Sequence, residues 1–181
     1  MCYSIREGDT LDRVGGAPSH LPYMWPRCQA CQERMAFVGQ LYSSGWLPLD
    51  GHLALQFYVC DDCQEKRKWL HMEALPNTSP VNVRRAGVRC RSQQRRYIHY
   101  TPVEDSMDQW AFNRRHLGEE DLPDKHLRRD KVGGLFPYDG YEGPKITPQN
   151  RMVAQFVWPG VRTAVYLFHS AKHGFYPYLY W

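Results

Sequence analysis

The sequence predicts a mainly β protein (α+β, with one helix). It reads as two related β-subdomains from an internal duplication, the first carrying a four-cysteine, zinc-ribbon-like site. Three observations lead there. Apolar, β-prone runs recur along the chain between turn-forming residues, and the 181 residues include 14 Gly and 13 Pro, which suits many short elements. Two Cys-x-x-Cys motifs flank the first pair of runs. A short motif near the beginning of the sequence recurs near residue 130.

Composition sets the outer bounds. Hydrophobic residues make up 43% and aromatics 14% of the chain, enough for a packed core and against disorder. The net charge of +4 is too mild to imply nucleic acid by itself. The segment Met1–Asp9 has no apolar stretch, so no secretory signal is expected. The longest apolar runs, Leu53–Cys60 and Thr163–Phe168, fall far short of the roughly 20 residues that span a bilayer. The expectation is a soluble, cytoplasmic chain without membrane association. In a reducing compartment its six cysteines read as metal ligands and spares, not as a disulfide framework.

The first pair of strands is predicted at Met35–Tyr42 and His52–Cys60, joined by turn residues around Ser43–Gly45 and Leu49–Gly51. Cys28-Gln-Ala-Cys31 precedes the first strand and Cys60-Asp-Asp-Cys63 closes the second, with 28 residues between the motifs. Each Cys-x-x-Cys turn presents two sulfurs to one centre, and two turns complete a tetrahedron. Cys28, Cys31, Cys60 and Cys63 are therefore the expected ligands of one structural Zn²⁺. Four protein ligands leave no position for water, so such a site holds a fold together and activates no nucleophile. A redox dithiol reading asks for a thioredoxin-like βαβ setting that these strands do not provide. Cys90 sits between Arg89 and Arg91, whose charge favours a thiolate, but an incidental free thiol is the simpler reading. Cys2 has no companion base or oxyanion motif nearby.

Further strands are expected at Trp69–Leu75 and Tyr97–Val103. The best helix is Asp105–Leu117, with Ser106 as N-cap, Met107, Trp110, Ala111 and Arg114 at helical spacing, and Gly118 beyond its end. A charged linker, Glu119–Asp130, follows. Asp12-Arg-Val-Gly-Gly16 recurs as Asp130-Lys-Val-Gly-Gly134, and Val38-Gly-Gln-Leu41 as Val153-Ala-Gln-Phe156. A Pro-rich loop intervenes in both copies (Pro18, Pro22, Pro26 and Pro137, Pro144, Pro148). The second copy continues with a strand at Arg162–His169 and an aromatic run, Phe175–Trp181, in place of cysteines. The Gly-Gly pair implies positive φ or close backbone approach. Gln40 and Gln155, inside apolar strands, imply a buried backbone hydrogen-bonding role. The division expected is residues 1–103 as the zinc-bearing subdomain, 104–129 as helix and linker, and 130–181 as the second subdomain.

Catalytic motifs do not emerge, and the chain is read as no enzyme. There is no phosphate loop and no nucleophile elbow. His169-Ser-Ala-Lys-His173 has metal-ligand spacing for a helix, but it follows a strand and runs into Gly174, so a turn is expected. His52, His71 and His99 lie on strand candidates and read as structural. The segment Arg84–Arg96 holds six arginines and no acid: Arg84, Arg85, Arg89, Arg91, Arg95 and Arg96. A solvated loop between strands is the simpler reading; where the segment is used, it suits an acidic protein partner or, with Tyr97 and Tyr100 following, nucleic acid.

Val14–Pro18, Pro26–Leu41 and Leu53–Cys63 together resemble the bacterial YwqG-like family. They are also similar to the N-terminal part of the programmed cell death protein 2 family of eukaryotes. Val132–Gly134 and Val153–Phe156 agree with the duplication in those families, and the resemblance spans about two thirds of the chain. It implies a mostly β fold of two related subdomains with no established catalytic centre. The eukaryotic members are similar to chaperones that hold a ribosomal protein, and some small bacterial relatives accompany toxins. This chain lacks the large linker between halves found in the eukaryotic pattern. The function expected is thus a zinc-stabilised protein-binding module (chaperone, immunity protein or adaptor for a protein client), with nucleic-acid binding through Arg84–Arg96 as the alternative.

Overall fold

The computed structural model describes residues 2–4, 11–45, 47–63, 69–82, 88–100, 131–132, 147, 149–156 and 165–179. The expected helix at 105–117, the linker at 119–130, and Arg84 and Arg85 lie outside the described residues. The chain divides into two units, Cys2–Tyr100 and Thr101–Trp181. Both are built on β-sheets, so the protein is mainly β as its sequence predicts.

The first unit is one antiparallel sheet. Its strands are β1 (Cys2–Ser4), β2 (Arg13–Val14), β3 (Ala36–Tyr42), β4 (His52–Val59), β5 (Leu70–Pro76) and β6 (Arg96–His99). Their order across the sheet is β1-β6-β2-β3-β4-β5. β3 and β4 are the central hairpin, and almost every residue in them is buried. A sheet with one wet face would alternate buried and exposed positions, so this run of burial means that both faces are covered. Aliphatic and aromatic residues fill the centre: Phe37, Leu41, Leu55, Phe57, Tyr58 and Val59. The connection after β3 adds to the core, with Leu47 and Leu49 fully buried. It closes through Asp50 and Gly51, both at positive φ.

β3 carries a bulge at Val38: Phe37 faces Tyr58 and Gly39 faces Phe57, so Val38 has no partner on β4. The bulge has a use. The Val38 carbonyl accepts from the Gly15 amide at 2.7 Å, where β2 leaves the sheet. Below that point Arg89–Arg91 takes over as a short parallel bridge to Phe37. The Phe37 amide donates to the Arg89 carbonyl, and the Arg91 amide donates to the Phe37 carbonyl.

Gly15 and Gly39 show why these positions lack side chains. Gly15 has φ +72, and a Cβ there would stand 2.1 Å from the Gln94 carbonyl oxygen. A Cβ on Gly39 would stand 2.7 Å from the Arg13 carbonyl oxygen. In the first Gly-Gly pair Gly15 thus shows both positive φ and close approach and Gly16 has φ +66, while Gly133 and Gly134 lie outside the described residues.

The second unit is an antiparallel meander of β7 (Lys131–Val132), β8 (Asn150–Phe156), β9 (Val165–Ser170) and β10 (Gly174–Leu179), in the order β10-β9-β8-β7. Its core gathers Met152, Tyr166 and Phe168, with Tyr176 and Tyr178 packed against them. Phe168 stacks on Tyr176 at 5.7 Å and meets Tyr178 edge-on at 6.3 Å. These offset and edge-to-face geometries add to simple area burial. β9 and β10 join through a turn at 171–173, where the His173 amide donates to Ser170 Oγ. The His-x-x-x-His pair is therefore split between strand and turn.

The two sheets share a register. Arg13 faces Gln40 and Val14 faces Gly39 in the first; Lys131 faces Gln155 and Val132 faces Ala154 in the second. β8 also bulges one residue before Ala154, at Val153, as β3 does at Val38.

Candidate metal centre

The first Cys-x-x-Cys motif sits at the tip of a small hairpin closed by an Arg27–Arg34 bridge. The Cys28 amide donates to the Glu33 carbonyl at 2.9 Å, and the Gln32 amide donates to the Cys28 carbonyl at 2.8 Å. To turn that tightly the backbone enters the left-handed region at Gln32, φ 62, where glycine is the ordinary occupant. The turn also aims an amide at a sulfur: Ala30 N lies 3.4 Å from Cys28 Sγ.

The second motif is made by the end of β4. Cys60 leaves the sheet with its amide donating to the Trp69 carbonyl, and Asp61–Cys63 forms one 3₁₀ turn. The turn stops β4 at Val59, one residue before the sequence expectation.

These two turns bring Cys28, Cys31, Cys60 and Cys63 into one cluster, their Sγ atoms all within 4.8 Å of one another. All four are free thiols. Cys31 and Cys60 are 3.6 Å apart. A tetrahedral thiolate site with metal–sulfur bonds of about 2.3 Å has sulfur–sulfur edges of about 3.8 Å. The donor set, the spacing and the absence of a disulfide among the four all fit a metal ion. Cys28, Cys60 and Cys63 are buried and Cys31 is exposed.

Electrostatics agree. Burial alone would raise the Cys28 thiol, but the Cys31 and Ala30 amides overcome it, with the Cys60 and Cys31 thiols assisting, and bring it to about 7. Cys60 is pushed up to about 12, first by burial and then by the Cys31, Cys28 and Cys63 thiols. Burial, followed by the Cys31 and Cys28 thiols, raises Cys63 against an opposing hydrogen bond from Cys60. Crowding thus opposes ionisation of Cys60 and Cys63, and a bound dication is what lets clustered thiols ionise together.

Of the arginine segment's described residues, Arg89 and Arg96 are exposed and Arg91 and Arg95 half-buried, and each makes a contact within the fold. Arg89 donates to the Arg34 carbonyl at 2.9 Å. Arg91 lies 3.6 Å from Asp61, beside the second cysteine turn. Arg95 donates to the Tyr97 hydroxyl and lies over its ring at 6.0 Å. Arg96 bonds Gln94. Between them, Cys90 is half-buried, and burial raises its thiol more than the charge of Arg13 lowers it.

A buried polar network beside β3 and β4 was only partly legible in sequence. Gln40, 1% exposed, accepts from the Ser19 amide at 3.0 Å and donates to the Leu11 carbonyl at 3.4 Å. Facing it across the sheet, Gln56 donates to the His20 carbonyl at 2.8 Å and accepts from the Tyr58 hydroxyl at 2.6 Å. Arg13 bonds Ser19 Oγ and the Ala17 carbonyl. Asn82 donates to the Pro18 carbonyl. Asp12 accepts from the Tyr42 amide and the Tyr100 hydroxyl. The loop 17–20 is thus bound by side chains from β2, β3, β4 and Asn82. The signal for Gln40 was a polar residue inside an apolar strand, and Gln56 shows the same signal. Asp12, Arg13 and Asn82 lie in short or irregular segments, where no periodicity marks them as buried.

Of the histidines, His71 Nε2 lies 3.0 Å from Glu73, and His20 Nδ1 lies 2.7 Å from the Tyr42 hydroxyl. His99 differs from the satisfied side chain expected on a strand: its Nε2 is buried without a hydrogen-bond partner among the described residues. His169 packs its ring on Phe175 at 4.6 Å. No helix among the described residues is long and apolar enough to cross a membrane. No family model, curated protein or solved structure matches the chain.

Proposed function

We propose that the protein is a non-enzymatic, zinc-stabilised module that binds a protein client, as a chaperone, immunity protein or adaptor. The observation that carries this reading is the four-cysteine cluster. Four sulfurs at tetrahedral spacing suit zinc or iron, and zinc is favoured where no redox role is evident. Cys28, Cys31, Cys60 and Cys63 would hold the ion, which would cross-link the first hairpin tip to the end of β4. With four protein ligands its role is to hold structure. The resemblance to the YwqG-like and programmed cell death protein 2 families supports a protein client. The matched registers and bulges of the two sheets support the internal duplication that this resemblance implies.

Nucleic-acid binding through the arginine segment is the second reading; Arg89, Arg91 and Arg95 also hold partners within the fold. Two measurements test the proposal. Metal analysis of the purified protein should give one zinc per chain. Affinity capture from cells with mass spectrometry should recover a stoichiometric protein, and the absence of one would count against the module reading. Binding to RNA or DNA that weakens steeply with salt and disappears with the arginines would replace it with the nucleic-acid reading.

A further inference from the structure

The turn before the first cysteine motif holds the two most exposed large apolar side chains among the described residues, Tyr23 at 97% and Met24 at 74%. Both line an open groove of about 680 Å³, together with Trp25, Arg27, Arg34, His71 and Glu73. Its aromatic wall is firmly held. The Trp25 indole N–H donates to the Met35 carbonyl at 2.8 Å, and its ring meets Tyr58 edge-on at 5.2 Å. Arg34 lies over the Trp25 ring at 5.6 Å.

The charge around this wall is unbalanced. Arg27 and Arg34 are exposed, and Arg27 directs one N–H to the Gln32 carbonyl. The single carboxylate in the lining, Glu73, is engaged by His71. Arg89 brings a further cation of the basic segment to the same turn, by donating to the Arg34 carbonyl. Aromatic ledges of this kind accept proline and aliphatic side chains of extended peptides, and guanidinium groups at their edge accept carboxylates.

We propose that this groove docks an acidic peptide segment of a protein partner. A proline or aliphatic residue would rest on Tyr23 and Trp25, with carboxylates on Arg27 and Arg34. The proposal rests on the protein-binding reading above and names its site.

The test is selection of a phage-displayed library of random dodecapeptides on the metal-loaded protein. Asp- and Glu-rich peptides with a proline or aliphatic centre should be enriched. By fluorescence polarisation, the best peptide should bind at least about tenfold more weakly to Tyr23→Ser/Arg34→Glu, and normally to Lys172→Glu, an exposed cation of the β9–β10 turn. Tyr23 and Arg34 are exposed, so both variants should keep their zinc and circular dichroism. A basic consensus, no enrichment, or undiminished binding to Tyr23→Ser/Arg34→Glu overturns the site. So does displacement of the peptide by single-stranded oligo-dT, which would assign the groove to nucleic acid. If that variant still captures the cellular partner of the wild type, the module reading stands and the groove is not its site.

Discussion

Gln32 holds a backbone conformation that its side chain disfavours, because the cysteine turn needs left-handed φ there. Gln32→Gly should therefore stabilise the metal-loaded protein by about 0.5–1 kcal/mol, and Gln32→Val should destabilise it by about 1 kcal/mol, both read from urea midpoints. Gln56 is a different case, since its value lies in satisfying buried partners. Gln56→Leu leaves the His20 carbonyl and Tyr58 hydroxyl unpaired and should cost about 1–3 kcal/mol. His20 couples this region to pH. Burial, followed by the nearby charge of Arg13, lowers its pKa below 6.5. The unfolded chain then takes up a proton first, so the contribution is intact above pH 6.5 and is lost as pH falls through the lowered folded value. His20→Gln should remove that part of the acid dependence, as followed by unfolding free energy from pH 8 to 5. Gln40 was legible as a buried hydrogen-bonding residue, whereas Asp12 and Asn82 were not. Their burial comes from chain crossings that no local period records.

Strands β3–β6 of the first unit were legible because strand-forming residues and turn residues alternate along it, whereas the short β1 and β2 carry no such signal. The ends of β3, β4 and β5 that shifted did so by one residue, as at Val59, where the cysteine turn takes over from the ladder; β6 ends at His99 with Tyr100 outside it, although the strand was expected to reach Val103. The bulge at Val38 was not legible. It arises because β2 ends at Val14 and Gly15 must reach the Val38 carbonyl. Gly39 is what allows β2 to lie close there, so Gly39→Ala should cost about 1–3 kcal/mol and expose the Arg13–Val14 edge to amide exchange. The arginine segment changed meaning at this scale. Read from sequence it is a run of charge; in the fold, Arg89–Arg91 completes the pairing of β3 at Phe37.

Across the whole chain, the cysteine cluster is the feature on which stability most depends. A structural zinc contributes roughly 10–16 kcal/mol in small domains, comparable to or larger than the roughly 5–15 kcal/mol by which proteins are stable. Chelation, or Cys28→Ser or Cys60→Ser, should therefore collapse hydrogen-exchange protection in β3–β5. The aromatic cluster of β8–β10 has no cysteine to lose and should keep its protection longer. The chain sequence by itself determined the β class, the strands β3–β6, β8 and β9, and the identity of the four clustered cysteines. These follow from local composition and from short spacings that survive any arrangement of the rest. Only the tertiary structure decided that Cys31 and Cys60 come within 3.6 Å. It also decided that the loop 17–20 hangs on side chains up to 64 positions away, and that Tyr23, Trp25 and Arg34 share a groove with His71. Those relations are made by antiparallel pairing between distant segments, and pairing partners are chosen by the packed whole.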